Sequence, residues 1–152
     1  MSYWDWAVAV HGRPGVDQAL TQIQDVHGQC VAYLLWAAWA AAEGRPLDQI
    51  LLRQGAALAE HWEAAATGPL RTARRELKAP APPVDEEAKS ALREQVRKAE
   101  FAAERLLMET LEALTPAPEG GPLDLADALI SASRVYSRPA ADEALRQLAG
   151  IL

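Results

Sequence analysis

Four cationic side chains recur at helical spacing in the middle of the chain. Positions i, i+3, i+4 and i+7 share one face of a helix, and they hold Arg71, Arg74, Arg75 and Lys78. Cations this close repel one another, so an anion must compensate them. The anion could be a phosphate, an acidic partner or carboxylates of the same chain. This basic face is therefore a candidate anion- or partner-binding site, and the alternative is an ion network inside the protein.

Two carboxylates further along the chain are the candidate internal compensators. Glu100 and Glu104 lie at i and i+4, a like-charge pair that is mildly destabilising on a lone helix. If their helix folds back over the basic face, they meet its arginines. The same pair could instead ligate metal ions, as in di-iron bundles, but those sites use a histidine three residues after a glutamate. No histidine in this sequence has that spacing, so we predict neither a metal site nor a cofactor.

A polar stretch before the most apolar part of the chain is a third candidate. Its side chains are Gln24, Asp25 and His27, and Gly28 follows them. Asp25 could act as a general base, and His27 could carry a proton near neutral pH. However, aspartate is also a preferred helix N-cap, glycine allows a sharp bend, and the sequence does not display the partners that an active site needs. We interpret the stretch as a polar junction between two helices and assign no catalytic residue.

Two tryptophans near the N-terminus are candidate docking aromatics. Trp4 and Trp6 lie two residues apart in a short helix, so they cannot both face the same way. We expect at least one of them at an interface with the rest of the chain or with a partner. Tyr33, Trp36 and Trp39 recur at helical spacing in the apolar run, a pattern typical of a core.

The composition excludes several classes of function. The formal net charge of -6 argues against nucleic-acid binding, which uses basic surfaces. A lone Cys30 can form no internal disulfide and suits a reducing compartment. The N-terminus carries Asp5 and lacks the basic start of a signal peptide. The longest apolar run, 30–42, is shorter than the roughly 20 residues of a bilayer span. We therefore predict a cytoplasmic protein without stable membrane insertion.

The sequence predicts an all-α fold. No stretch alternates like a strand, whereas segments with helical periodicity fill most of the chain. We expect a single domain, a compact bundle of about six to seven helices. Its parts are the N-terminal helices in 1–78, a long helix at about 85–114 within 84–115, and a C-terminal helical pair in 122–152. Gly68 and Pro69 should break or kink the helix that contains them.

The long helix is expected to pack through one apolar seam. The seam residues follow 4-3-4-3 spacing and are Leu92, Val96, Ala99, Ala103 and Leu106. Because a seam this long often exceeds what one monomer covers, a homo-oligomer formed through this helix is a further prediction.

An ordered set of short motifs runs through the first three quarters of the chain. They are YWDWA (3–7), RPGV (13–16), LTQIQDVHG (20–28), LLW (34–36), PLR, RR and LK (within 69–78), and AE at 99–100 and 103–104. Together they resemble an uncharacterised proteobacterial family, catalogued as a domain of unknown function, over about residues 3–112. The resemblance implies a helical cytosolic bacterial protein without an established activity. Relatives tend to follow the glycine with an acid and VN, and this chain has QCVA (29–32) there. A catalytic pocket shared by the family would therefore be incomplete here.

These patterns favour a protein-interaction or adaptor module without catalytic activity, with an unknown protein partner. The alternative is a binder of, or an enzyme acting on, an anionic, phosphate-bearing small molecule. In that case Arg71, Arg74 and Arg75 would hold the anion, and nearby carboxylates would supply acid–base chemistry.

Overall fold

Helices account for all the regular structure in the computed structural model, which describes residues 1–136 and 139–152. The predicted all-α class is confirmed. The elements are α1 (Tyr3–His11), α2 (Val16–His27), α3 (Val31–Ala42), α4 (Gln49–Trp62), a π-helical segment (Glu63–Thr67), α5 (Gly68–Glu76), α6 (Glu86–Leu114), α7 (Leu125–Val135) and α8 (Asp142–Ala149). Since α4, the π-helical segment and α5 form one continuous helix, the described residues contain seven separate helices.

Helix α3 is the centre of the bundle. Every residue from Tyr33 to Ala41 is buried, so this helix has no polar face. Neighbouring elements α1, α4, α6 and α7 surround it. A helix that is apolar all round must be enclosed by others, and this requirement arranges the remaining helices around α3.

Polar atoms of three buried aromatic side chains on α3 fix the surrounding elements. The Tyr33 hydroxyl lies 3.1 Å from the carbonyl oxygen of Leu52 in α4 and 3.2 Å from that of Ala132 in α7. The Trp36 indole donates to Thr115 at 2.7 Å, and the Trp39 indole donates to the carbonyl oxygen of residue 1 at 3.2 Å. Because a buried donor without a partner is costly, these bonds favour one arrangement of the helices.

The junction between α2 and α3 depends on a glycine. Gly28 ends α2 in the left-handed conformation with φ of 64°, which costs glycine little. Its N–H donates to the carbonyl oxygen of Gln24. The expectation that Asp25 caps the next helix is wrong. Asp25 lies in the last turn of α2, and Cys30 occupies the N-cap of α3.

The predicted break or kink at Gly68 and Pro69 is replaced by a change of helical register. The N–H of Gly68 donates to the carbonyl oxygen of Glu63, five residues earlier. Proline has no N–H and its ring clashes with the carbonyl group four residues earlier in a regular α-helix. The wider π turn directly before Pro69 lets the chain continue into α5 without leaving the helical conformation.

The seam predicted for α6 is rotated relative to the face that the helix buries. Of its members only Ala103 is buried, whereas Leu92 and Leu106 are about half exposed, at 49% and 54%. The face turned towards α5 and α3 instead follows Lys89, Arg93, Val96, Glu100, Ala103 and Leu107. Glu100 belongs there because α5 presents arginines, which need carboxylate partners. The two cations of this face, Lys89 and Arg93, donate to the backbone carbonyl oxygens of Ala79 and Arg74.

The last two helices pack on the N-terminal ones. Helix α7 lies against α3, and α8 contacts both α7 and α2. The rings of Tyr33 and Tyr136 stack with their centroids 5.6 Å apart. No helix within 1–136 or 139–152 combines the length and the apolar character needed to cross a membrane.

The contact between α3 and α4 gives a direct test of this packing. A methyl group at Gly55 would come within 2.5 Å of the Trp36 ring, so Gly55→Ala should destabilise the protein by about 1–3 kcal/mol despite the better helix propensity of alanine. Gly150→Ala is the control, because its added carbon meets nothing closer than 3.5 Å. Urea denaturation of both variants measures the difference. Equal midpoints for Gly55→Ala and the wild type would contradict the close packing.

Candidate functional site

A cavity of about 390 Å³ lies beside α1 and is the candidate site. We call it the α1 cavity. Its walls come from α1, α2, the start of α3, the π-helical segment, α5 and α6. The apolar wall residues include Tyr3, Ala7, Leu20, Leu35, Leu107 and Met108. A concave, mainly apolar space of this size with a few polar groups is typical of a binding site, for which volumes of roughly 300–1,000 Å³ are usual.

The mouth of the cavity is formed by aromatic and aliphatic side chains. Val8 of α1 and Phe101 of α6 are 57% and 51% exposed. Trp4 also lines the cavity, is half-buried and meets Phe101 edge to face, with 5.2 Å between the ring centroids. The guanidinium of Arg105 lies 4.9 Å above the Trp4 ring. These contacts hold Trp4 in place although its outer surface is open to solvent.

The polar end of the cavity rests on an ion network. We use this name for two arginines and three carboxylates, which are Arg71, Arg74, Glu63, Glu100 and Glu104. Arg71 donates to Glu63, lies 3.4 Å from Glu100 and lies 3.6 Å from Glu104. Arg74 donates to Glu100. The carboxylates of α6 thus compensate the inner half of the basic face, and Glu63 of the π-helical segment adds a third negative charge.

The polar junction also reaches α5. In the orientation that satisfies both of its groups, the Gln24 amide oxygen accepts from Arg71 Nη1 at 2.9 Å and from Nη2 at 3.0 Å. Asp25 lies 3.3 Å from Arg75 in an exposed ion pair. His27 is half-buried and does not line the cavity. The structure therefore brings Gln24 and Asp25 to the basic face and leaves His27 outside the site.

The remaining predicted residues divide between core and surface. Trp6 is buried in the core, whereas Trp4 is at the cavity mouth. Arg75 is exposed on α5, whereas the exposed Lys78 follows the end of this helix at Glu76, so the predicted basic face lacks its fourth member there. Only Arg71 of the basic face lines the cavity.

The electrostatics of the network follow from its partial burial. Burial disfavours the charged form of Arg71, but the hydrogen bond to Glu63 and the nearby charges of Glu104 and Glu100 hold the pKa of its guanidinium above the ordinary value. Burial raises the pKa of the Glu104 carboxyl. Arg71 opposes this shift, and the negative charges of Glu100 and Glu63 add to it.

Some site residues lay outside the sequence prediction. Glu63 and Thr67 are two of them. With Arg71 they follow i, i+4, i+8 spacing, and this helical spacing is the signal that could have identified them. Two further lining residues form a pair, in which His11 Nδ1 lies 2.6 Å from Asp17 Oδ1. No local spacing signals that pair, because it joins α1 to α2.

The described residues offer little support for thiol or metal chemistry at the cavity. Burial raises the pKa of the Cys30 thiol to about 12, so this wall residue remains a protonated, apolar side chain near neutral pH. In residues 1–136 and 139–152, no three histidine, cysteine, aspartate or glutamate side chains are grouped so that they could hold a metal ion.

The comparison with protein families accounts for most of the chain. A family model described as "Protein of unknown function (DUF2390)" matches residues 2–111. The chain belongs to this family. The matched region contains all the residues that line the α1 cavity, and it ends before α7 and α8. No curated protein and no solved structure matches the chain.

The burial of Arg71 predicts a large cost for its removal. Arg71→Ala leaves the partly buried carboxylate of Glu63 without its arginine and leaves Glu100 with Arg74 alone, so we expect a loss of about 2–3 kcal/mol in the free energy of unfolding. Arg75→Ala on the same helix removes an exposed pair and should cost less than about 1 kcal/mol. Chemical denaturation compares the two, and equal losses would show that the network does not stabilise the fold.

The raised pKa of Glu104 predicts a pH-dependent gain in stability. A carboxyl whose pKa is higher in the folded than in the unfolded state stabilises the fold while protonated, and it loses this contribution as the pH rises from 4.5 through the folded value. Glu104→Gln should therefore match the wild type at low pH and exceed it at neutral pH. The gain should be below about 1 kcal/mol, because the side chain is 43% exposed.

The control for this prediction is Glu94→Gln on the outer face of α6. A hydrogen bond from Arg97 lowers the pKa of Glu94, so its replacement should change stability in the opposite direction as the pH rises. Thermal denaturation from acid to neutral pH measures both. A Glu104→Gln variant that is less stable than the wild type at neutral pH would refute the assignment.

Proposed function

We propose that this protein is a protein-interaction module and that its partner docks on the mouth of the α1 cavity. The observation that carries the proposal is the coincidence of exposed apolar side chains, Val8 and Phe101, with a cavity behind them. Exposed apolar surface around a concave pocket is typical of binding surfaces.

The residue types at the mouth support a protein partner. Protein interfaces are enriched in tryptophan, phenylalanine, methionine and arginine, and their energetic centres are aromatic or arginine residues next to pockets. Trp4, Phe101, Arg105 and Met108 provide these types around one opening. Trp4 is already held by Phe101 and Arg105, so less conformational entropy would be lost when a partner binds.

The charge balance disfavours the alternative of a phosphate-bearing ligand. Arg71 is the arginine that lines the cavity, and it already contacts Glu63, Glu100 and Glu104. An incoming anion would have to displace one of these carboxylates and would then meet its negative charge. The arginine is thus a structural counter-ion here rather than an open anion clamp.

Two further predictions remain proposals. The exposed face of α6, which carries Leu92 and Leu106, is open to self-association through the long helix. A cytoplasmic location, based on the lone buried Cys30, completes the proposed role of an intracellular adaptor.

A point substitution tests the docking surface without removing core residues. Tyr3 and Trp6 are buried, so a deletion of the N-terminal aromatics would disturb the fold, whereas Val8 can be replaced at the surface. Val8→Glu should abolish retention of a partner in affinity capture from cells of the source organism. Mass spectrometry identifies the retained proteins.

The matched control is Ile50→Glu, which places the same charge at an exposed aliphatic position on α4, outside the cavity. It should retain the same partner as the wild type. If Val8→Glu and Ile50→Glu retain identical proteins, the partner does not dock at the α1 cavity.

A further inference from the structure

The ionisable groups around the α1 cavity indicate which charge a bound segment carries. Among the described residues that line it, the carboxylates are Asp17, Glu63 and Glu104, and the guanidinium is that of Arg71. The neighbouring Arg74–Glu100 pair and the Arg105–Glu109 pair beside the mouth cancel their own charges. The three carboxylates outnumber the one guanidinium, so the cavity has an excess of negative charge, and the whole chain carries a formal charge of -6. Such a surface attracts cations.

Glu104 is the carboxylate best placed to receive a cation. It is the most exposed of the three carboxylates around Arg71, at 43% against 30% for Glu63 and 9% for Glu100. Its distance to Arg71, 3.6 Å, marks an ion pair rather than a good hydrogen bond. Glu63, by contrast, accepts directly from Arg71 and from the Thr67 hydroxyl. Glu104 thus keeps acceptor capacity on the side of the cavity.

Along α6, Glu104 lies between Phe101 at the aromatic mouth and the apolar wall residues Leu107 and Met108. Trp4 and Phe101 stand at the opening, and Leu107 and Met108 lie on the wall next to Glu104 along α6. An occupant must therefore present an apolar group and a positive charge close together. A short protein segment with a basic side chain next to an aromatic or aliphatic one has this chemistry.

We propose that the α1 cavity recognises a segment of a partner protein in which a lysine or arginine neighbours an apolar side chain. The apolar side chain occupies the space behind Trp4 and Phe101, and the cation meets Glu104. This inference rests on the proposed function and adds the chemistry of the partner to it. The bound cation also offsets the negative charge of Glu104 and so relieves the repulsion between this carboxylate and those of Glu63 and Glu100.

The test uses three matched peptide probes. They are the acetylated, amidated dipeptides Phe-Lys, Phe-Gln and Phe-Glu, whose second side chain is cationic, neutral and anionic, respectively. The indole N–H signal of Trp4 and the methyl signal of Met108 report binding at the cavity in NMR titrations. We expect Phe-Lys to bind about fivefold more tightly than Phe-Gln, as one partly exposed charge pair implies, and Phe-Glu to bind most weakly.

Two variants connect the preference to one carboxylate. In Glu104→Gln the advantage of Phe-Lys over Phe-Gln should vanish. It should persist in Glu94→Gln, which removes a carboxylate of similar exposure (49%) from a part of α6 that does not line the cavity. The comparison of probes within the wild type does not depend on the folding of either variant. An unchanged preference in Glu104→Gln would overturn the role of this residue.

The outcomes separate this inference from the proposed function. Equal affinities for the three dipeptides, or a preference for Phe-Glu, would overturn the cationic partner and leave docking at the cavity intact. Absence of any signal change with all three would overturn both.

A parallel titration with 4-phenylbutylamine tests a different occupant, a small organic molecule that carries an aromatic ring and a cation without a peptide backbone. Binding of this amine without binding of any peptide would overturn the protein segment and assign the cavity to a small organic cation.

Discussion

The ion network between α5 and α6 is the constraint on which the site depends. Two arginines of α5 can be buried only if carboxylates accompany them, because a lone buried charge is far more costly than a paired one. Glu100 meets this need from α6, and Glu63 meets it from the π-helical segment. The helices are therefore held together at this point by paired charges. One consequence is that the charged face of α6 points inwards and Leu92 and Leu106 point outwards.

The cavity exists because α1 is held at its N-terminal end and at its core-facing side. The Tyr3 N–H donates to Glu112 at 3.2 Å, and its hydroxyl donates to the carbonyl oxygen of Ala32. The N-terminal amino group lies 3.1 Å from Glu43. These bonds tie the first turn of α1 to α3 and α6, so the outer face of α1 can remain apart from the ion network. The space left between them is lined by Val8 and Leu20 on one side and by Met108 on the other.

Much of the fold could be predicted from short-range patterns in the amino-acid sequence. The end of α2 at Gly28 and the buried character of Tyr33, Trp36 and Trp39 follow from helix stop signals and an uninterrupted apolar run. The opposing charges of the basic face and of Glu100 with Glu104 were also visible as candidate partners. The rotation of α6 was not, because alanine occurs on several faces of this helix and the apolar spacing alone fits more than one stripe. The role of Asp25 was misread for a related reason: its local context resembles a cap, but its partner, Arg75, is fifty positions away in the sequence.

The amino-acid sequence by itself determined the all-α class, the central apolar helix and the need for compensated charge on α5. Each of these depends on residues within a few turns of one another, where helical geometry is fixed. Only the tertiary structure decided that Arg71 is a counter-ion inside the protein, that Trp4 and Phe101 meet across two helices, and that a cavity lies between them. These features depend on the distances between helices far apart in the chain, and such distances are set by the packing of the whole bundle.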